Sequence, residues 1–244
     1  MYKDKSKKTE HIDIFTKITR QIENFIVKYL KVILITISVF VVALAIYFLI
    51  EHIYSKREEY ADKSFGKVYL VYKNVKSESG DKITEEEKTK KLSDLTNDFK
   101  IVINDYPNSI AAMKSAYFIG NILFDSGKYK EALEYYKKGY SKKGKTNYIS
   151  MLCLLNEATC YEQLEDYDKA AQVYERILSD FSDEYIVPYA LYNLGQIQEK
   201  QNKFQSASDK YSKIVSGYDW SSWKQFAEKK LLLIKNFQHQ NKLN

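Results

Sequence analysis

Three stretches of this chain share one skeleton: SGKYKEALEYY at 126–136, LEDYDKAAQVY at 164–174 and QNKFQSASDKY at 201–211. Each has an aromatic residue at its fourth place, alanine at its seventh and tyrosine at its eleventh. The alanines of successive copies are separated by 38 and 37 residues. A catalytic motif has no need of three copies, whereas a structural unit that stacks on copies of itself does. The pattern therefore indicates a repeat protein.

A small residue lies twelve positions before each alanine, which gives the pairs Gly120/Ala132, Ala158/Ala170 and Gly195/Ala207. Helices approach closely only where facing side chains are small, so each pair predicts one helix, a tight turn and a second helix packed on the first. In these pairs and their spacing the chain resembles the tetratricopeptide repeat family. The resemblance implies an all-α fold: a right-handed α-solenoid of helix pairs with a C-terminal capping helix. The family period is about 34 residues, and we expect the extra residues to lengthen the second helices by about one turn.

The repeat domain is predicted to occupy residues 60–244. Its parts, in chain order, are repeats near 60–107, 113–146, 151–184 and 188–217 and a cap at 219–236. The first of these repeats is weaker and carries an insert at 77–82. Thr84, followed three residues later by Glu87, predicts a capping box that restarts a helix after the insert.

A different signal lies upstream, where residues 32–50 read VILITISVFVVALAIYFLI without a charge. About twenty apolar residues in a helix cross the hydrocarbon core of a bilayer. A core helix of a soluble domain is rarely apolar on every side, and no small-x-small cleavage site follows the segment. We therefore predict one transmembrane helix that precedes the repeats, with a linker at 51–59.

The segment 1–31 forms a basic tail with eight Lys or Arg against four Asp or Glu, which favours a cytoplasmic N terminus. Apolar residues recur in the tail at steps of three and four, which predicts an amphipathic helix. These residues are Ile12, Phe15, Ile18, Ile22, Phe25 and Tyr29. The helix is either a membrane-surface or partner-binding element or an inert extension.

The rest of the chain excludes several functions. It carries 30 Lys or Arg against 28 Asp or Glu, too nearly neutral for the basic footprint of nucleic-acid binding. Cys153 and Cys160 lie seven apart, roughly 10 Å along a helix, which fits neither a disulfide nor a zinc site. The three histidines lie outside the repeats, and no catalytic motif occurs. We predict no enzyme, no cofactor, no metal site and no small-molecule substrate.

In the resembling family the first helices of the repeats line a concave groove. The groove positions carried over to this chain are Tyr117, Asn121, Phe124, Leu152, Leu155, Thr159, Tyr189, Tyr192 and Gln196. Apolar side chains and amides suit an extended or helical peptide, although some of these tyrosines could instead pack between helices. Asn121 and Asn156 match asparagines of the chaperone-tail-binding members, but Tyr117 and Tyr189 stand where those have lysines. A terminal carboxylate would lack its cations there and is not the expected ligand.

The layout of basic tail, single span and 37-residue repeats resembles the bacterial single-span tetratricopeptide proteins associated with the Sec translocon. The resemblance implies a scaffold for protein–protein interactions at the cytoplasmic (inner) membrane, with periplasmic repeats. Its partners would be the translocon, a periplasmic chaperone or a secreted client. Two alternatives stay open: a receptor or adaptor that faces the cytosol, and an outer-membrane-assembly or cell-envelope factor.

Overall fold

The computed structural model describes four ranges of the chain, 3–77, 83–140, 148–182 and 185–243, with side chains from 16 to 240 within them. The described residues form nine α-helices and no strand, which confirms the all-α prediction. The chain divides into two compact units, Met1–Lys56 and Arg57–Asn244.

The helices follow one another without other regular structure in the described ranges. Their bounds are α1 Lys3–Ser77, α2 Glu85–Asp105, α3 Ile110–Asp125, α4 Tyr129–Gly139, α5 Tyr148–Gln163, α6 Tyr167–Asp180, α7 Val187–Lys200, α8 Phe204–Gly217 and α9 Trp223–Leu243. Helix α1 is continuous through residues 51–59, the predicted linker, and the boundary between the two units falls inside that segment.

In the first unit, the described side chains of α1 are exposed almost without exception. This helix is long and apolar enough to cross a membrane, and none of its most apolar window is buried. Ile18, Ile22 and Phe25 of the predicted amphipathic face are 50%, 53% and 60% exposed. Ile12 and Phe15 lie outside the described side chains.

The second unit is a succession of antiparallel helix pairs. α3 pairs with α4, α5 with α6 and α7 with α8, and each second helix also contacts the first helix of the next pair. Residues 57–77 of α1, in the region predicted as the weaker first repeat, pack on helix α2, where the ring of Phe65 lies 6.0 Å from that of Phe99. The last helix, α9, packs on both α7 and α8.

The small residues let a tyrosine ring of the second helix lie against the backbone of the first. A β-carbon on Gly120 would lie 2.5 Å from the ring of Tyr136, and one on Gly195 would lie 2.6 Å from the ring of Tyr211. The four alanines of the pairs, Ala132, Ala158, Ala170 and Ala207, are completely buried. The close approach at Gly120 and Gly195 is confirmed, but the nearest atoms there belong to a tyrosine ring and not to the paired alanine.

In two repeats the hydroxyl group of the buried tyrosine on the second helix is hydrogen-bonded to a carboxylate of the first helix. Tyr174 donates to Glu162 Oε1 at 2.8 Å, and Tyr211 donates to Glu199 Oε1 at 2.5 Å. Each glutamate stands twelve residues before its tyrosine, on the last turn of the paired helix. A buried hydroxyl without a partner would cost about 1–3 kcal/mol, so these bonds allow tyrosine at a fully buried position.

The prediction of longer second helices is wrong. The second helices α4, α6 and α8 have 11, 14 and 14 residues, and the first helices α3, α5 and α7 have 16, 16 and 14, so no second helix is longer than its partner. Between the third and fourth repeats the extra residues fall outside the helices, since α6 ends at Asp180 and α7 begins at Val187.

The two ends of the repeat array differ in how well local signals predicted them. The capping box before α2 is confirmed: Glu87 N donates to Thr84 Oγ1 at 3.2 Å, and Thr84 N donates to Glu87 Oε2 at 3.1 Å. The final helix begins at Trp223 rather than at Asp219, because Ser221 Oγ accepts the Trp223 N–H at 3.2 Å and opens the helix there.

One core position carries a charge. Glu157 on α5 is 5% exposed, although the equivalent places of the neighbouring repeats hold Ile119 and Leu194, both completely buried. Lys137 Nζ lies 4.0 Å from Glu157 Oε1, too far for a hydrogen bond. Burial raises the pKa of Glu157, and the positive charges of Lys137 and Arg176 offset part of that rise.

We expect Gly120→Ala to lower the free energy of unfolding by about 1–3 kcal/mol, because the new methyl group overlaps the buried Tyr136 ring. Gly66→Ala is the matched control, since nothing lies within 4 Å of its β-carbon. There alanine should stabilise the helix by up to about 1 kcal/mol. Denaturant unfolding of the full chain in detergent measures both changes, and equal effects at the two glycines would contradict the close packing.

We expect Glu157→Leu to raise the free energy of unfolding by about 1–4 kcal/mol at pH 7, because it removes a buried charge with a distant partner. The folded state holds the Glu157 proton more tightly than the unfolded state, so between the two pKa values the stability of the wild type falls as pH rises. The advantage of leucine should therefore shrink as pH falls through the raised pKa. Glu175→Leu, at an exposed site of α6, is the matched control for the loss of a glutamate. Unfolding curves at several pH values test this, and a pH-independent difference for Glu157→Leu would contradict the buried charge.

Candidate partner-binding face

All nine residues predicted for a groove lie on the first helices of the three well-marked repeats, and all nine are half-buried. We call this set the first-helix face. Helix α3 carries Tyr117, Asn121 and Phe124, helix α5 carries Leu152, Leu155 and Thr159, and helix α7 carries Tyr189, Tyr192 and Gln196. Along this face α3 contacts α5, and α7 contacts α9.

The two asparagines expected at carboxylate-binding positions are bonded to each other. Asn156 Nδ2 donates to Asn121 Oδ1 at 2.9 Å, and the Tyr136 hydroxyl donates to the same oxygen at 2.9 Å. Asn121 thus ties together α3, α4 and α5. In this repeat Phe124 stands where the next two have glutamate, which explains why Tyr136 bonds to an amide instead. Asn121 Oδ1 therefore already accepts two hydrogen bonds within the fold.

The aromatic residues of α3 also serve packing. The Tyr117 ring lies 5.3 Å from Phe118 and 6.3 Å from Tyr136. The Phe124 ring lies edge-on to Tyr129 at 5.2 Å. At this end of the first-helix face the side chains hold the helices together and present only their remaining surface to a partner.

The aromatic residues of α7 meet those at the start of α9. Trp223 lies 5.1 Å from Tyr189 and 5.0 Å from Tyr192, and Phe226 lies 6.2 Å from Tyr192. Burial is the main cause that raises the pKa of Tyr189, so its hydroxyl stays protonated and neutral. The result is a rigid aromatic cluster at the C-terminal end of the face.

Sequence reasoning treated α9 only as a cap and missed its part in this surface. Phe226 stands 37 residues after Tyr189, and Leu233 stands 37 residues after Gln196, so the repeat period itself carries the face onto α9. Phe226 and Leu233 are 52% and 53% exposed, and Phe237, on the same side of the helix, is 47% exposed. We call these three residues the α9 strip.

Charges that border the face are paired rather than directed into it. Lys114 binds Asp62 at 2.9 Å, and Lys230 binds Glu199 at 2.8 Å. None of the nine face residues is itself charged. The surface therefore consists of aromatic and aliphatic side chains with a few amides and one hydroxyl group, and it carries little net charge.

The two cysteine thiols are buried and do not contribute a reactive group to this face. Cys153 and Cys160 are free and buried, and burial raises the pKa of Cys160 to about 12. Thiols that stay protonated at neutral pH are poor nucleophiles. Within the described ranges, no group of three or more His, Cys, Asp and Glu side chains is arranged to hold a metal ion.

Comparisons with known proteins agree with this architecture. Residues 109–183 and residues 154–219 each match a family model described as tetratricopeptide repeat. No curated protein matches the sequence significantly.

Two solved structures share the fold at low sequence identity. A tetratricopeptide repeat protein from Parabacteroides merdae is 19% identical with a TM-score of 0.54, over 72% of this chain and 60% of that one. The apo form of RapI is 21% identical with a TM-score of 0.51, over 71% of this chain and 46% of that one. The match spans about half of each relative's length, so the likeness concerns the fold. Residues 109–219 of this chain are thus tetratricopeptide repeats, and they lie within the all-helical second unit.

Proposed function

We propose that this chain is a membrane-anchored scaffold that binds a protein or peptide partner on the first-helix face and the α9 strip. The observation that carries the proposal is the run of partly exposed apolar and amide side chains that recurs at the repeat period along α3, α5, α7 and α9. Tetratricopeptide repeats are interaction modules, and their presence in residues 109–219 supports a partner of this kind.

The chemistry of the surface defines the partner. Exposed Phe226 and Leu233 and half-buried Tyr192 favour apolar side chains, while Gln196 offers hydrogen bonds to a backbone. An extended or helical peptide with apolar residues at regular spacing fits such a surface. A bare terminal carboxylate does not fit this surface, because Asn121 and Asn156 already bond to each other. Positions 117 and 189 also hold tyrosine instead of the lysine that would pair with a carboxylate.

The anchor is residues 32–50. The segment is uncharged, and all but one of its side chains are exposed. Exposed apolar side chains are stable in hydrocarbon and unfavourable in water. Lys28 and Lys31 precede it, and with the rest of the basic tail they favour a cytoplasmic N terminus. The repeats then lie in the periplasm, next to the translocon, a chaperone or a secreted client. Cytosolic repeats would instead support a receptor or adaptor role.

We expect a photo-crosslinking residue at Phe226 or Leu233 to capture a partner in native membranes. The matched control is Leu232, which is 59% exposed on the same helix but points away from the strip. Adducts at the strip positions and none at 232 support the proposed face. Equal adducts at all three positions, or none at the strip, would contradict it.

We also expect the full chain to stay with membranes after alkaline extraction. Each arginine at the centre of a span costs about 2.5–3.5 kcal/mol, so a Val41→Arg/Val42→Arg double variant should appear in the soluble fraction. Val41→Leu/Val42→Leu is the control and should stay in the pellet.

Two further results bear on the anchor. A mature chain shortened by cleavage after the apolar segment, seen by mass spectrometry, would show a signal sequence and overturn the anchor. Protease digestion of residues 60–244 only after the inner membrane is opened would place the repeats in the cytosol.

A further inference from the structure

A cleft of about 210 Å³ lies over the buried glutamate and contains none of the first-helix-face residues. Helix α5 supplies its floor and α6 its wall. Its lining residues are Glu157, Tyr161, Lys169, Gln172, Val173 and Arg176. At about 30 Å³ per water molecule, the volume equals about seven waters, which is enough for a small organic molecule.

The floor and the rim of the cleft carry opposite charges. The Glu157 side chain is 6% exposed, whereas Arg176, which lines the cleft, is 43% exposed. Lys137 on α4 does not line the cleft but lies beside Glu157, and its side chain is 52% exposed. The Glu157 carboxylate accepts no hydrogen bond from the described residues, and Lys137 Nζ is 4.0 Å away. A buried carboxylate next to an open cleft, without a direct donor, is a group that a ligand can satisfy.

Neighbouring side chains hold Lys137 and Arg176 in place. Lys137 Nζ donates to the Tyr161 hydroxyl at 2.9 Å. The Arg176 guanidinium lies 3.9 Å over the Tyr140 ring, with its Nε 3.7 Å from Asp180. These contacts hold the two cations in place, and Asp180 offsets part of the charge of Arg176.

Lys169 is paired with Asp166, so Lys169 adds little field. With Asp180 offsetting Arg176 as well, the remaining charges, Glu157 and Lys137, sum to zero. The site is therefore dipolar, with its negative end inside and its positive end at the mouth.

We propose that this cleft binds a small zwitterion of the α-amino-acid type, with its ammonium group on Glu157 and its carboxylate toward Lys137 and Arg176. A simple anion would meet the Glu157 carboxylate at the floor, and a simple cation would meet lysine and arginine at the mouth. A molecule with both charges satisfies both ends and gives the buried glutamate the donor that Lys137 does not supply. This role also accounts for glutamate where the neighbouring repeats have Ile119 and Leu194.

The test is thermal unfolding of the full chain in detergent with the common α-amino acids added singly at millimolar concentration. For a binding amino acid, the melting temperature should rise by about 5–10 °C when the ligand reaches a hundred times its Kd. The amine without the carboxylate and the acid without the amine, for example ethylamine and propionate against alanine, should give no rise. No rise with any amino acid, or an equal rise with the single-charge analogues, would overturn the proposal.

Variants locate the effect. Glu157→Gln and Glu157→Leu should weaken binding at least tenfold by isothermal titration, and the leucine variant keeps the residue type of the equivalent sites. Glu175→Gln, at an exposed site of α6, should bind as the wild type does. Binding that survives Glu157→Leu would place the ligand elsewhere and overturn the site. Phe226→Ser should leave this binding unchanged, so the result is independent of the proposed partner face.

Discussion

The repeats of this protein depend on the contact between a tyrosine ring and a helix backbone that has no side chain in the way. At Gly120 and Gly195 the ring of the paired tyrosine occupies the space that a β-carbon would take. The buried alanines of the second helices provide the corresponding close approach from the other side. Because small residues recur at the equivalent positions Gly120, Ala158 and Gly195, about every 37 residues, successive helix pairs pack internally in a similar way. A regular stack follows from packing that is decided within single repeats.

For the proposed function, that regularity also defines the surface on which a partner would bind. Residues one period apart fall at equivalent places on successive first helices, so Tyr189 and Phe226 belong to one surface, as do Gln196 and Leu233. Many polar groups near this surface are used inside the fold. Glu162 and Glu199 hold tyrosine hydroxyls, and Asn121 holds Asn156 and Tyr136. What is left for a partner is apolar surface with a few amides, which gives specificity through shape more than through charge.

The features that the sequence predicted are those with local or periodic causes. The helix pairs, their small contact residues and the capping box at Thr84 all follow from spacing along the chain. Spacing did not predict where the three or four residues beyond the family period of about 34 residues would lie. A longer second helix and a longer connection between repeats give the same period. The continuity of α1 through 51–59 has a readable signal, since the only prolines, Pro107 and Pro188, lie far downstream.

Other features depend on tertiary contacts that spacing does not encode. The bond between Asn121 and Asn156 joins two helices, and the burial of Glu157 depends on α4 and α6 closing over α5. The nine face residues are on the first helices as predicted, yet the share of each that packs inward emerges only from the folded arrangement. The repeat period predicts that α9 extends the first-helix face, and the interpretation of the last helix as a cap alone missed this.

A double-mutant cycle at Gly195 and Tyr211 tests the tyrosine–glycine contact most directly. Gly195→Ala should cost about 1–3 kcal/mol of unfolding free energy in the wild type, because its β-carbon overlaps the Tyr211 ring. In a Tyr211→Leu background the same change should be neutral or stabilise by up to about 1 kcal/mol, since only the helix propensity of alanine remains. An equal cost in both backgrounds would show that the ring does not lie on the glycine, and the packing described for the repeats would be incorrect.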